Sequence, residues 1–170
     1  MLKTLTLMMI ALFSAVLMQP TASGQTTSPS FVKRGYHYSK WGNQKGWEVV
    51  TVSGPGKMIF LSGVGAEDEN STGPTILHLG DFEGQCHYAI DKIKRILARE
   101  GASMDDIVKI VAYVTDIRSE ADYGECLNEA FGSSGRHTVH TFLNISQLAH
   151  PGMLLEIDVT AMVPAKGSSR

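Results

Sequence analysis

Residues 153–160 alternate without interruption. Met153, Leu155, Ile157 and Val159 point one way, and Leu154, Glu156, Asp158 and Thr160 point the other. A repeat of two is the repeat of a strand, so this run predicts a strand with one face in a core. A second strand-like run lies just upstream, with Arg136, Thr138, His140 and Phe142 on a common face. His150, Pro151 and Gly152 break the chain between the two, since Pro lacks an amide donor and Gly tolerates unusual dihedrals. An arginine thus opens one strand and two acids sit within the next, an arrangement suited to holding something small and anionic.

The same reading applies upstream. Residues 48–53 (EVVTVS) and 57–64 (KMIFLSGV) read as strands around a Gly-Pro-Gly turn and predict a hairpin. Asp81 can cap a helix running to about residue 100, in which Phe82, Cys86, Ala89, Ile93 and Leu97 form one apolar stripe. Gly101 ends it. Residues 107–115 (IVKIVAYVT) predict a strand with two largely apolar faces. A shorter helix follows over 120–131, with Tyr123, Leu127, Ala130 and Phe131 turned inward. The order is strand, strand, helix, strand, helix, strand, strand. Two helices cover one face of such a sheet and leave apolar residues on the other, which predicts self-association.

The ends of the chain read differently. Residues 1–24 carry one early charge, Lys3, an apolar run from Leu5 to Met18, and then Pro20 and the small residues Ala22, Ser23 and Gly24. That is the pattern of a secretory signal peptide, and the run is shorter than the roughly 20 apolar residues of a spanning helix. The expectation is cleavage after Gly24 and an exported protein, periplasmic or secreted, with no membrane attachment afterwards. Residues 25–34 read as a flexible leader, 35–165 as a single domain and 166–170 as a polar tail. Tyr36, Tyr38, Trp41 and Trp47 cluster among polar residues. They suit a pocket lining or, more simply, an arm packed across the surface.

Composition narrows the function. The chain has 170 residues, 43% hydrophobic and 19% charged, ordinary values for one globular domain. A formal charge of -2 supplies no basic surface for nucleic acid. Two cysteines are too few for a disulfide scaffold. Cys86 and Cys126 fall on the two predicted helices, where the simplest reading is a pair of small apolar residues; an oxidising compartment would also permit a bridge. His137 and His140 form an HxxH, but residues three apart on a strand face opposite ways, so no metal site is expected.

The motifs IFLSG (59–63), AIDKIKRILAREGASMDDIVKIVAYVTD (89–116), Arg136 with Thr138 and Val139, and HPGMLLEIDVTA (150–161) occur in this order. As an ordered set they resemble the RidA (YjgF-type) enamine/imine deaminases over nearly all of the chain after residue 24. The resemblance implies an α+β fold like that of chorismate mutase, a mixed β-sheet with two helices on one face. It also implies a homotrimer with clefts between subunits. The activity implied is hydrolysis of 2-imino or enamine carboxylic acids to 2-oxo acids and ammonia, with no cofactor. The alternative is a non-catalytic trimer that binds small carboxylates in the same cleft.

By the same resemblance, Arg136 binds the substrate carboxylate, because guanidinium offers a planar fork of donors. Glu156 positions the attacking water or moves its proton. The backbone carbonyl of Thr138 accepts from the imine nitrogen, and Ser62 and Gly63 line the cleft. Three departures from the family pattern alter that cleft. Tyr38-Ser39 lies farther upstream of Ser62 than the usual Tyr-Ser pair. Glu125 stands where a pocket Asn is common, with Asn128 nearby but out of register. The stretch between Arg136 and Glu156 is longer than usual around 144–147.

Overall fold

A computed structural model describes residues 30–37, 39, 47, 49–132 and 137–165. The signal-peptide expectation, residues 25–29 of the leader, the tail at 166–170 and Arg136 fall outside them.

The strands are β1 (Val32–Tyr36), β2 (Val49–Ser53), β3 (Gly56–Val64), β4 (Ile107–Val114), β5 (Val139–Asn144) and β6 (Leu155–Pro164). The helices are α1 (Phe82–Arg99) and α2 (Glu120–Phe131). The main sheet has the order β3-β6-β4-β5, with β4 and β5 parallel and the other pairs antiparallel. Both helices pack on one face, the expected α+β arrangement. Among the described residues no helix is long and apolar enough to cross a membrane.

Alternation explains the layering. In β6 every second residue from Leu155 to Val163 is buried, and β4 contributes Ile107, Ile110, Ala112 and Val114 to the same layer. Asp81 caps α1, its carboxylate accepting from the Gly84 amide at 3.0 Å. Cys86, Ala89, Ile90, Ile93 and Leu97 then face the sheet. Gly101, at φ +74°, supplies the left-handed residue after the helix. The helix α2 faces inward through Tyr123, Cys126, Leu127 and Phe131.

The structure corrects three expectations. First, β2 and β3 are not a hairpin: β2 pairs with β1, and β3 pairs with β6. Pairing with the ten-residue β6 brings Ile59 and Val64 under the helices, a larger apolar gain than the short β2 offers. Second, the leader expected to stay loose through Arg34 is a strand from Val32 onward, and Phe31 ahead of it is buried. Third, Cys86 and Cys126 are bonded to each other, not merely small apolar fillers. Their Cα atoms are 6.5 Å apart where the two inward stripes meet, which is within bridging range. As expected of a sheet with helices on one face, β4 is buried on that face, while Val111 and Tyr113 on the other are half-exposed.

That second face of the sheet is apolar and uncovered by the described chain. Phe60 is 70% exposed, Met58 52% and Leu143 42%. Thr160 and Met162 of β6 sit opposite Phe60 and Met58, and Tyr113 sits beside Leu143.

Candidate functional site

The pairing of β3 with β6 slips by one residue near its end. Leu61 pairs with Val159 and Val64 with Ile157, so Ser62 and Gly63 together oppose Asp158. This is a bulge, a device that re-aims side chains at the rim of a sheet. Ser62 is exposed. A β-carbon built on Gly63 would overlap the carboxylate and Cγ of Glu156, so any larger residue there displaces Glu156. Glu156 therefore lies against the backbone of the bulge. The structure brings Ser62, Gly63 and Glu156 together as one group.

Charge around Glu156 is lopsided. Burial pushes its carboxyl above the ordinary glutamate range, Glu67 and Asp158 push it further, and His150 opposes them. Asp158 accepts a hydrogen bond from the Tyr113 hydroxyl at 3.2 Å, and the Asp158 charge raises the Tyr113 phenol in turn. Glu67 behaves in the opposite way. Lys92, only 12% exposed, donates to Glu67 Oε2 at 3.1 Å and to the carbonyls of Gly65 and Glu67 at 2.9 and 2.8 Å. The Gly65 amide donates to the same oxygen at 3.2 Å. Burial raises the Glu67 carboxyl, but these bonds outweigh it and Glu67 titrates below its ordinary range. Two neighbouring acids are thus pushed apart, one toward the anion and one toward the protonated acid, which is how a site divides acid from base work.

The other half of the predicted site lies elsewhere in the chain. Thr138 is buried, and its hydroxyl donates to the Val139 carbonyl at 3.2 Å. It directly precedes β5, whose Val139 aligns with Lys109 of β4, whereas Glu156 aligns with Tyr113 at the opposite end of β4. Five residues of strand and two strand spacings separate them, roughly 16 Å along the sheet and 10 Å across it. One copy of the chain does not bring Thr138 to Glu156. Arg136, two residues before Thr138, lies outside the described residues.

An aromatic stack supports the Thr138 end. The Trp47 indole lies on His137, ring centroids 4.6 Å apart and planes inclined by 16°. Its ring also occupies the space a side chain at Gly35 would need. Of the aromatic cluster, Trp47 thus packs as part of a surface arm, while Tyr36 is exposed and Tyr38 and Trp41 lie outside the described residues. His140 turns away from His137, and its Nε2 lies 3.2 Å from the Tyr123 hydroxyl. Among the described residues no group of three or more His, Cys, Asp or Glu is placed to hold a metal ion. Glu125 and Asn128 are both exposed on α2.

Sequence reasoning missed Glu67, Lys92 and Gln85. Gln85 is fully buried on α1. Its amide donates to the carbonyls of His78 and Gly152 at 3.1 and 2.8 Å, and it accepts from the Leu154 amide at 2.8 Å. It therefore fixes Leu154, the residue that leads into β6, two residues before Glu156. A polar residue beside Cys86 on the inward stripe was the available signal.

The family model described as Endoribonuclease L-PSP matches residues 47–163. A RutC family protein of Pyrococcus abyssi is 37% identical over 79 residues, 46% of this chain and 60% of that protein, so the match spans less than two thirds of that relative. The RutC family protein YjgH of Escherichia coli is 31% identical over 111 residues, 64% of this chain and 78% of its own. Among solved structures, the Rid family protein YyfB of Yersinia pestis, itself of unknown function, has a TM-score of 0.62 at 21% identity. That likeness covers 77% of this chain and 98% of the other, and it bears on the fold alone.

Proposed function

Because the chain belongs to the Endoribonuclease L-PSP family, which takes in the RutC and Rid proteins, we propose that it hydrolyses 2-imino or enamine carboxylic acids. In the net reaction the imine C=N carbon gains the oxygen of one water, and the nitrogen leaves as ammonia. Arg136 pairs with the substrate carboxylate through two parallel hydrogen bonds and so orients the imine carbon. The Thr138 carbonyl accepts from the imine N–H. Ser62 and the Gly63 backbone line the opposite wall. Glu156 takes a proton from the attacking water and returns it to the departing nitrogen, work suited to a carboxyl titrating closer to neutrality than usual.

The observation that carries this reading is the seat of Glu156: half-buried against Gly63, beside two other acids, with its carboxyl pushed upward. The separation of Thr138 from Glu156 within one chain adds the second element. The site closes only where the β5 end of one copy meets the β6 start of another, and the apolar sheet face around Phe60 is the surface that brings copies together. The assembly read from the family resemblance is a homotrimer. We place the protein outside the cytoplasm after signal-peptide removal; the Cys86–Cys126 bridge supports that, since such bonds persist in oxidising compartments.

The test is release of 2-oxo acid and ammonia from 2-imino acids generated in situ by an amino-acid oxidase, measured against spontaneous hydrolysis. Acceleration that falls at least a hundredfold in Glu156→Gln supports the reading. No acceleration by the folded trimer, with 2-oxo acids still raising its melting temperature, would instead make it a non-catalytic carboxylate binder.

A further inference from the structure

The loop that leaves β3 is clamped to one face of α1. Tyr88, Lys92 and Arg95 lie on that face, four and three residues apart. The Glu69 amide donates to the Tyr88 hydroxyl at 3.3 Å, and Arg95 donates to the Glu69 carboxylate at 2.8 Å. Lys92 stands between them, its Nζ 5.5 Å from the centre of the Tyr88 ring. An ammonium has three N–H bonds, and here all of them are taken, by the Gly65 carbonyl, the Glu67 carbonyl and Glu67 Oε2. The Gly65 amide donates to that same carboxylate oxygen. Gly65 also abuts the start of β6. A β-carbon built on it would lie 3.0 Å from the Leu155 carbonyl oxygen and 3.3 Å from Glu67 Oε2. The Glu67 carboxylate is thus pinned beside the residue that precedes Glu156.

We propose that Glu67 is a positioning residue of the imine-hydrolysing site, an anion that Lys92 holds against the seat of Glu156. The inference rests on the hydrolase reading above and names a second carboxylate for it. Two carboxylates side by side cannot both ionise freely, and left to themselves they share one proton. Lys92 decides which of the two holds it. Its contacts keep the charge on Glu67 and leave the proton to Glu156. Lys92 is nearly buried and reaches no carboxylate but that of Glu67, so it neutralises one acid of the pair and not the other.

The groups that face Glu156 come from four elements. Glu67 lies on the loop after β3, Asp158 on β6 itself and His150 on the turn before β6, while Tyr113 of β4 engages Asp158. Burial raises both glutamates. Hydrogen bonds and the Lys92 charge then bring Glu67 below its ordinary range, while Glu67 and Asp158 push Glu156 further up. A fixed anion beside Glu156 makes it, once ionised, readier to take a proton from water. Glu67 does this through Glu156 and touches no substrate.

The experiment compares Glu67→Gln with Glu69→Gln in the full mature chain. Glutamine at 67 keeps an oxygen for Lys92 and removes the charge. Glutamine at 69 weakens the tie of the same loop to Arg95 and leaves the charge beside Glu156 in place. The Glu156 carboxyl is followed by carbon NMR of protein labelled at the glutamate carboxyls, its resonance identified by loss in Glu156→Gln. The pH profile of kcat/KM on 2-imino acids is recorded beside it. Glu67→Gln is expected to lower the Glu156 titration by about one unit, with the rising limb of kcat/KM moving equally toward acid. Glu67→Ala, which loses the contacts as well, should move both the same way, and Glu69→Gln should move neither. An unmoved Glu156 resonance in Glu67→Gln, or an equal movement in Glu69→Gln, would overturn the proposal. A resonance that moves as expected in a chain without turnover would instead overturn the hydrolase reading and leave the pairing of Glu67 with Glu156 standing.

Discussion

The Glu156 carboxylate occupies the space that a β-carbon on Gly63 would fill. A glycine in the bulge of one strand thus sets the position of an acid on the next. Gly63→Ala must push Glu156 aside, and a displacement of about 1 Å at a reacting group can cost roughly a hundredfold in rate. The expected outcome is a large fall in kcat on 2-imino acids with a modest change in melting temperature. Unaltered kcat in a well-folded Gly63→Ala protein would remove Glu156 from the chemistry.

The surroundings of Glu156 also make a stability prediction. Its carboxyl is raised in the folded state, first by burial and then by Glu67 and Asp158. Between the unfolded and folded values the native state binds more protons, so stability falls as pH rises through that window. Glu156→Gln removes the penalty. The variant should melt higher than the parent at pH 7 to 8, and the gap should close near pH 4. Equal pH profiles from calorimetry would show that Glu156 is solvated like any surface acid.

Much of this fold is written in the sequence as alternation. The stripe from Cys86 to Leu97 and the 153–160 run each name their buried face, because periodicity records which side met the core. Strand partners are not written that way. The run 57–64 suited β2 as well as β6, and only the completed sheet distinguishes them. The cysteine pair failed for a related reason, since bridging depends on how two helices face each other. Of the residues that the resemblance named, the structure brings Ser62, Gly63 and Glu156 together. Glu67 and Lys92 were not legible, because an acid in a loop and a lysine on a helix look solvated until Lys92 is seen to bind three oxygens.

The bridge between α1 and α2 closes a loop of sequence separation 40. Restricting the unfolded chain over such a loop is worth about 3 to 4 kcal/mol. The double variant Cys86→Ala, Cys126→Ala should lose that much in urea unfolding while keeping its far-ultraviolet spectrum. The parent treated with reductant under denaturing conditions should refold to the same reduced stability.

Phe60 stands 70% exposed on the edge strand β3 of the open sheet face, with Met58 beside it at 52%. An apolar patch of this kind is where self-association is expected. Phe60→Lys places a charge there and should convert the assembly to monomer in sedimentation. Turnover should disappear with it, although the monomer remains folded. Catalysis by a monomeric Phe60→Lys protein would place the whole site within one chain.

The separation of the two half-sites provides the most direct measurement. Arg136→Ala and Glu156→Gln proteins, each alone, are expected to be inactive on 2-imino acids. Co-refolded in equal amounts, they should assemble at random into trimers, and about a quarter of all clefts should pair an intact arginine with an intact glutamate. Recovery of about a quarter of the parent turnover would establish an imine hydrolase whose site is shared between subunits. No recovery in demonstrably mixed trimers, beside an active parent, would contradict the shared site.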